Sequence, residues 1–443
     1  MTPGSRRRMI LGLIAGLALV GAGVAWWMLP PRALGFAGRG VALAAYRGPD
    51  PTGAAPELRD ADIVARGRYL AQAADCQVCH TAPGGAPYAG GLAFKTPFGT
   101  IYSPNITGDA ATGIGGWSDA EFLRAVHEGV GKHGEQLYPA FPFEAYTLMA
   151  DEDVLAIKAY LLSLPKVRAQ APPNALRFPF NRRELVWFWA TAYSPNQRFR
   201  PRPNRSPEWN RGAYLVEALA HCGDCHTPRN LAQALDNRRK FAGALIQGWR
   251  AYNITPDRAS GVGEWSDDDL ARYISGGHVP GRGSPSGPMA EAVAGGLSAL
   301  TPSDLRAMVA YLRTVPARGS LEQPAPSRKA ASDLPKVMPA HYDVRGRMIF
   351  EQACATCHGW SGQSPLSPQA SLTGVRAVND ASGANVAAIV IAGQPSSGGQ
   401  LAMPAFGAAY SDSEIAAVAN YVTARFGAAR SKLTAADVAK LRP

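Results

Sequence analysis

Cysteine is scarce in this sequence, and all of it lies in three short stretches. The six cysteines among 443 residues stand in pairs within residues 74–83, 220–229 and 352–360, so none is left over. A structural zinc site usually brings two such pairs together, but these pairs are separated by about 130–150 residues. A thioredoxin-like redox pair would adjoin a βαβ pattern, which the sequence lacks. These two uses of paired cysteines are therefore disfavoured.

Charge is also sparse, at 18% of residues, and it is biased towards the positive sign. The 45 Lys and Arg against 34 Asp and Glu give a formal net charge of +11. Such an excess fits nucleic acid, an anionic membrane surface or an acidic partner. No basic stretch is interleaved with a nucleic-acid-binding motif, so we expect no nucleic acid partner. The 46% of hydrophobic residues indicates a globular chain.

Long apolar runs are missing except at the N-terminus. Arg6–Arg8 precede an uncharged run over residues 9–29, which has the length of a bilayer-spanning helix and ends at Pro30 and Pro31. Flanking arginines stay on the cytoplasmic side, so residues 1–31 are predicted to form a transmembrane anchor at the cytoplasmic (inner) membrane. The rest would then face the periplasm. A cleaved signal peptide is the alternative, with a small-residue site near Ala42–Ala44.

Three segments of the remaining chain resemble one another. Each has Arg-Gly, an aromatic or apolar pair, a helix-like stretch and then the cysteine pair, in "ARGRYLAQAADCQVCH", "NRGAYLVEALAHCGDCH" and "VRGRMIFEQACATCH". Each unit also closes with a segment whose apolar residues recur at three- and four-residue intervals, which indicates a helix. We therefore predict a mainly α protein with three tandem domains, over residues 61–167, 208–317 and 341–427.

The first two units share further features. "YSPNIT" (102–107) corresponds to "AYNIT" (251–255), and "GGWSDAEF" to "GEWSDDDL". In the latter pair, Ser118 with Glu121 and Ser266 with Asp269 have the spacing of a capping box. We expect a helix to begin at each serine.

Proline- and arginine-rich connectors separate the units, at about 168–207 and 318–340. The first surrounds the apolar run "LVWFWA" (185–190), which is too short to span a membrane. It either packs over a neighbouring domain with its charges solvated, or forms a docking surface for a membrane or a partner.

A histidine follows the second cysteine of every pair, and Cys-x-x-Cys-His is the attachment motif of haem c. Two thiols add to the vinyl groups of the porphyrin, and the tethered ring then presents its iron to the next side chain. A neutral imidazole suits that role because its second nitrogen can be held by an acceptor. The sequence thus predicts three haem c groups, on Cys76, Cys79 and His80, on Cys222, Cys225 and His226, and on Cys354, Cys357 and His358.

The sixth iron ligand is predicted from methionines in equivalent places. Met403 in "AMPAF" and Met289 in "GPMAEAV" lie in loop-like sequence with an adjacent proline, and a thioether is a common haem ligand. The first unit has Phe141 where the third has Met403. Its ligand is predicted to be Met149, although a hydrophobic staple is an equal reading of that residue. The alternatives are a five-coordinate iron, His127 or His133.

With these motifs the chain resembles the triheme cytochrome c subunit of membrane-bound bacterial dehydrogenases, from about residue 60 onwards. That family serves quinoprotein alcohol dehydrogenases, flavin-dependent gluconate, sorbitol and fructose dehydrogenases, and molybdenum enzymes of the aldehyde or nicotinate type. The resemblance implies class I cytochrome c domains, in which two helices cross beside the haem. It also implies electron transfer from a catalytic subunit to ubiquinone or a terminal oxidase. Many relatives have a methionine where this chain has Phe141.

Under that reading no catalytic residue is expected. Trp117 and Trp265 either hydrogen-bond haem propionates or pack at a helix start, and Asp224 and Glu351 are interpreted as solvated surface charges. Two other functions stay open, a multihaem peroxidase with an open first iron and an electron carrier to an oxidase or nitrogen-oxide reductase.

Overall fold

The computed structural model describes residues 3–319, 343–394 and 402–442, without the side chains of residues 3–10 and 27. These ranges are mainly helical, as predicted. The α-helices are α1 Pro3–Met28, α2 Ile63–Ala73, α3 Cys76–Cys79, α4 Asp119–Glu128, α5 Phe143–Tyr146, α6 Asp151–Ser163, α7 Arg183–Tyr193, α8 Pro207–Tyr214, α9 Gly223–His226, α10 Asp267–Ile274, α11 Pro288–Gly295, α12 Pro302–Leu312, α13 Val344–Ile349, α14 Ala355–His358, α15 Arg376–Asn379, α16 Ala384–Ala392, α17 Asp412–Phe426 and α18 Ala435–Ala439. Helices α8 and α13 each continue into a π-helical turn, Leu215–Leu219 and Phe350–Cys354.

Short antiparallel strands accompany the first two units. They are β1 Ala93–Thr96, β2 Gly99–Tyr102, β3 Ala175–Leu176, β4 Ala244–Ile246 and β5 Trp249–Ala251. Strands β1, β2 and β3 form one sheet, with Ala93 opposite Tyr102 and Gly99 opposite Leu176, and β4 pairs with β5. Each hairpin leads directly into the repeated Asn-Ile-Thr segment.

Each repeat unit is built on two helices that cross at a glycine. The pairs are α2 with α6, α8 with α12 and α13 with α17. A Cβ atom on Gly67 would lie 1.9 Å from the carbonyl oxygen of Ala156 in the partner helix, and the corresponding distance is 1.8 Å for Gly212 and 2.1 Å for Gly346. Because no side chain fits at such distances, only glycine permits this crossing. The repeated Arg-Gly therefore marks the helix crossing that the resemblance implies.

The helix starts were predicted correctly from the sequence. Ser118 and Glu121 form a full capping box at α4, and Ser266 accepts a hydrogen bond from the Asp269 backbone amide at the start of α10. The closing helices α6, α12 and α17 lie where the apolar periodicity places them.

The first two units face each other across a two-fold-like contact. Tyr69 of α2 donates a hydrogen bond to Asp304 of α12 at 2.6 Å, and Tyr214 of α8 donates one to Asp153 of α6 at 2.5 Å. Tyr69 and Tyr214 occupy equivalent positions in the repeat, as do Asp153 and Asp304. Each unit therefore donates one tyrosine hydrogen bond to an aspartate of the other unit. Within the second unit, Arg211 forms a buried ion pair with the same Asp304 at 2.7 Å. One hydrophobic core accordingly runs through both units.

The third unit has its own core and meets the second through polar contacts. The Asn385 side chain accepts a hydrogen bond from the Arg250 backbone amide at 2.8 Å, and the Arg250 guanidinium lies 3.2 Å from the Asp380 carboxylate. Arg376 donates to the Gly261 carbonyl at 3.1 Å. Residues 320–340, most of the second connector, lie outside the described residues, as do 341 and 342, the first two residues of the predicted third domain.

The predicted membrane-spanning run forms most of α1. Within the described residues, however, no helix has both the length and the apolarity needed to cross a membrane. Arg6, Arg7, Arg8 and Trp27, on which the prediction partly depended, lie outside the described side chains.

The first connector packs partly over the first unit, while Trp187 and Phe188 of its apolar run are exposed. Its β3 joins the β1–β2 sheet. Arg198 donates to Asp151 at 2.6 Å, and Arg183 donates to the Gln136 carbonyl at 2.8 Å.

Candidate haem sites

The cysteine pairs lie at the start of short helical turns directly after the first helix of each unit. α3 begins at Cys76, α9 follows Cys222 and α14 follows Cys354. A helical turn places residues three apart on the same side, so both thiols of a pair point towards one edge of the unit. None of the six cysteines forms a disulfide.

All three histidines after these pairs are held in the same way. The Nδ1 atom of His80 lies 2.8 Å from the Pro104 carbonyl oxygen, that of His226 lies 2.6 Å from the Tyr252 carbonyl, and that of His358 lies 2.6 Å from a carbonyl in the turn at 368–370. A carbonyl accepts, so each Nδ1 carries the proton and donates it. Nε2 is then left as the lone-pair nitrogen, the arrangement of a metal-ligating histidine with its supporting acceptor.

The repeated Asn-Ile-Thr segment positions two of these carbonyls. Pro104 and Tyr252 each precede the asparagine of that segment. The Asn105 side chain donates to the Val167 carbonyl at 2.7 Å, and the equivalent Asn253 donates to the segment that leaves the second unit, at 2.5 Å. In both units the asparagine thereby ties the loop that carries the histidine's acceptor carbonyl to the segment that follows the closing helix.

Burial tunes the titratable groups of these sites towards their neutral forms. It lowers the pKa of His80, His226 and His358, while the carbonyl hydrogen bond acts in the opposite direction. It raises the pKa of the Cys76 and Cys222 thiols to about 12. Neutral imidazoles are the form that binds a metal.

A mostly apolar cavity of about 430 Å³ adjoins the first motif. Its lining includes Cys76, Cys79, His80, Tyr102, Trp117, Phe122, Phe141, Tyr146, Met149 and Arg183. Met149, which is 1% exposed, lines this cavity, and its part in ligation stays a prediction. Neither His127 nor His133 is among the described residues that line it.

Two family models match the chain, cytochrome c over residues 64–165 and cytochrome c oxidase, cbb3-type, subunit III over residues 343–422. The fructose dehydrogenase cytochrome subunit of Gluconobacter japonicus is 37% identical over 424 residues, which cover 88% of this chain and 85% of that protein. The gluconate 2-dehydrogenase cytochrome c subunit of Pantoea cypripedii is 36% identical over 402 residues, covering 86% and 89%. The chain belongs to the cytochrome c subunits of dehydrogenases.

A third relative is much longer than this chain. This nicotinate dehydrogenase subunit from Pseudomonas putida is 40% identical over 376 residues, which cover 83% of this chain but only 31% of that protein. The cytochrome c subunit described here thus spans about a third of that relative. All three relatives are named after dehydrogenases, and the two that this chain covers almost fully are named as their cytochrome subunits, which transfer electrons and are not the catalytic subunits.

The residues present fit a covalently bound haem c. The two thiols of each pair lie on one edge, the next imidazole has its Nε2 free and its Nδ1 anchored, and in the first unit an apolar cavity adjoins them.

The methionines predicted as sixth ligands lie on defined elements. Met289 is the second residue of α11 and packs against the core shared by the first two units. Met403 is half-buried, and its backbone pairs with Gln394 in both directions at 2.9 Å. Their part in ligation stays a prediction.

His127, one alternative ligand, is held elsewhere. Its ring is 1% exposed and lies 3.7 Å from the Asp151 carboxylate, and burial lowers its pKa to about 4. The ring faces the start of α6 and the first connector.

The sequence interpretation missed a set of carboxylates between the first two sites. Asp224, interpreted as a solvated charge, has a side chain only 13% exposed and lies 3.9 Å from Arg229. Glu144 lies 3.7 Å from the same arginine, and burial together with the charge of Asp224 raises the pKa of Glu144 to about 8. Burial also raises the pKa of Asp75 to about 7. The position of Asp75 and Asp224 beside the cysteines was the available signal, but only the docking of the two units buries them. Glu351, by contrast, pairs with Arg347 at the surface.

Proposed function

We propose that this cytochrome c subunit holds three haem c groups and relays electrons from a dehydrogenase catalytic subunit to ubiquinone or a terminal oxidase. The observation that supports it is the threefold repetition of one arrangement, a cysteine pair followed by a histidine whose Nδ1 is held by a carbonyl. One such site could arise from ordinary packing. Three at equivalent places in repeated units favour a common ligand.

Bound haem supplies a reversible one-electron couple, and the protein sets its potential through ligation, burial and hydrogen bonds. The chain's contribution in each unit is to tether the ring through both thiols and to orient one imidazole. We propose Met289 and Met403 as the opposite ligands in the second and third units, and Met149 in the first, where it lines the cavity. The predicted domains 61–167, 208–317 and 341–427 are the three haem-holding units.

The partner and location follow from the same family. The relatives named after fructose, gluconate and nicotinate dehydrogenases support a dehydrogenase catalytic subunit as the electron donor. We propose that this subunit is a quinoprotein, a flavoprotein or a molybdenum enzyme. The apolar N-terminal helix is proposed to hold the chain at the outer face of the cytoplasmic membrane.

Haem counting tests the proposal unit by unit. The full chain should carry three haems by intact mass and by pyridine haemochrome absorbance. Replacing both cysteines of one pair by alanine should remove one haem, whichever pair is chosen. Gln77→Ala, at an exposed position between two cysteines, is the matched control and should keep all three. Fewer than three haems in the unchanged chain would overturn the count.

Ligation and activity need separate measurements. Met403→Ala and Met289→Ala should each lower one reduction potential and remove one sulfur–iron charge-transfer band, and Met149→Ala should do so only if that residue ligates. The isolated chain should be reduced and reoxidised reversibly without oxidising any alcohol, sugar or aldehyde. Turnover of such a substrate by the chain alone would contradict an electron-transfer role.

A further inference from the structure

Helix α7 and the loop beside it expose large apolar side chains that the haem sites do not use. Trp187 is 55% exposed, Phe188 64% and Leu231 76%, and Leu185 is also exposed. We call these four residues the aromatic surface. Scattered exposed apolar residues need no explanation, but a cluster that includes tryptophan and phenylalanine usually marks an interaction site.

The aromatic surface is held rigidly in place. The Trp189 indole on the opposite side of α7 donates to the Ala232 carbonyl at 2.8 Å, and its ring packs edge-to-face on Phe143. At the start of the helix, Arg183 stacks on the Tyr138 ring at 4.8 Å. Contacts at Trp189 and Arg183 therefore hold α7 in place. With the helix held in this orientation, its other apolar side chains remain exposed to solvent.

The end of α1 is fastened to the same loop. The Asn230 side chain donates to the Met28 carbonyl at 2.8 Å, and Arg238 donates to the Leu29 carbonyl at 3.2 Å while lying 4.1 Å from the Trp26 ring. Leu231 of the aromatic surface is the next residue after Asn230. Two apolar elements, far apart in sequence, are thus brought side by side at residues 230–238.

Both elements expose apolar side chains. From residue 11 to residue 26, α1 is exposed throughout and has no charged residue. Near α7, Arg177 and Arg182 are exposed, and the whole polypeptide has a formal charge of +11. A helix that lies in the headgroup region of an anionic bilayer typically combines tryptophan and phenylalanine with neighbouring arginines. Helix α7 and its surroundings have this composition. An acidic protein partner would match the arginines but would leave the uncharged α1 beside it uncovered.

We propose that the aromatic surface lies in the headgroup region of an anionic phospholipid bilayer, next to the point where α1 leaves the body of the protein. This inference rests on the proposed location at the membrane. Because Arg183 of α7 lines the first cavity while Asn230, Leu231 and Arg238 belong to the second unit, the proposal places the junction of the first two units against the lipid. The third unit contributes no residue to the aromatic surface.

Photo-crosslinking in the full chain tests the proposal. Phe188→p-benzoylphenylalanine places a crosslinker on the aromatic surface, and Trp360→p-benzoylphenylalanine places one at a similarly exposed position, 65%, in the third unit. Both proteins are reconstituted in vesicles of phosphatidylglycerol and phosphatidylcholine, irradiated and digested, and the adducts are identified by mass. We expect phospholipid adducts at position 188 to exceed those at position 360 at least several-fold.

The other outcomes overturn the proposal. Adducts to a dehydrogenase subunit at position 188, tested in native membranes, would make the surface a protein interface. Equal lipid labelling at both positions, or none at either, would also refute it. Haem content and redox spectra of the same samples report on the proposed electron-transfer function, and membrane fractionation of the unchanged chain reports on its location. A haem-loaded, membrane-bound chain without lipid adducts at 188 would therefore refute this inference alone.

Discussion

Replacing Gly67 by alanine should destabilise the first unit through a single methyl group. The new Cβ would lie 1.9 Å from the Ala156 carbonyl oxygen and 3.0 Å from the Tyr160 Cβ. Ordinary carbon–oxygen contacts are about 3.5 Å, so α2 and α6 must separate by about 1.5 Å. Overpacking of a core costs about 1–3 kcal/mol, and this clash falls at the upper end because the obstacle is backbone. Alanine recovers about 1 kcal/mol of helix propensity.

We therefore expect a net loss of about 2 kcal/mol in the free energy of unfolding. The measurement is urea unfolding of the haem-loaded chain followed by far-UV circular dichroism. Gly116→Ala is the control in the same unit, since its new Cβ would lie 3.3 Å from the flexible end of Lys132 and at an ordinary contact distance, 3.7 Å, from the Ala110 carbonyl oxygen. A Gly67→Ala protein that unfolds at the same urea concentration as the unchanged chain would refute the account of the helix crossing.

Three further outcomes follow from the contacts. Arg211→Ala leaves the buried Asp304 carboxylate without its ion partner and should lower the free energy of unfolding in urea by about 3–5 kcal/mol. Arg347→Ala, which removes a surface ion pair, should lower it by less than about 1 kcal/mol. Equal losses for the two variants would contradict the burial argument. Asn253→Ala removes the side-chain hydrogen bonds that hold the end of the second unit and should lower the free energy of unfolding by about 1–3 kcal/mol. The readout is a lower urea concentration at the midpoint of unfolding. Burial raises the pKa of Asp75 from 3.8 to about 7, so the stability that its protonated form contributes is complete below about pH 4 and is lost as the pH rises to about 7. Asp75→Asn should flatten the pH dependence of unfolding in that window, and an unchanged slope would show that the carboxyl is solvated.

Local sequence sufficed for the features that depend on neighbours in the chain. The Cys-x-x-Cys-His spacing predicts haem attachment, and serines three residues before an acidic residue predicted the start of α4 and α10. The apolar periodicity of the closing helices predicted α6, α12 and α17. The repeated Arg-Gly and Asn-Ile-Thr were visible as repeats, but their purpose was not. Gly67 is needed because of a carbonyl about 90 residues later, and no local pattern shows that distance.

The sequence by itself predicted three equivalent haem attachment sites from six cysteines and three histidines, because the chemistry of each predicted site lies within five consecutive residues. The tertiary structure alone decided which carbonyls hold His80, His226 and His358, how Tyr69 and Tyr214 bind the first two units together, and that Asp224 is buried. It also placed α7 beside the end of α1. These features depend on contacts between residues from 12 to more than 200 positions apart, and such contacts are fixed by packing of the whole chain, which short-range spacing does not encode.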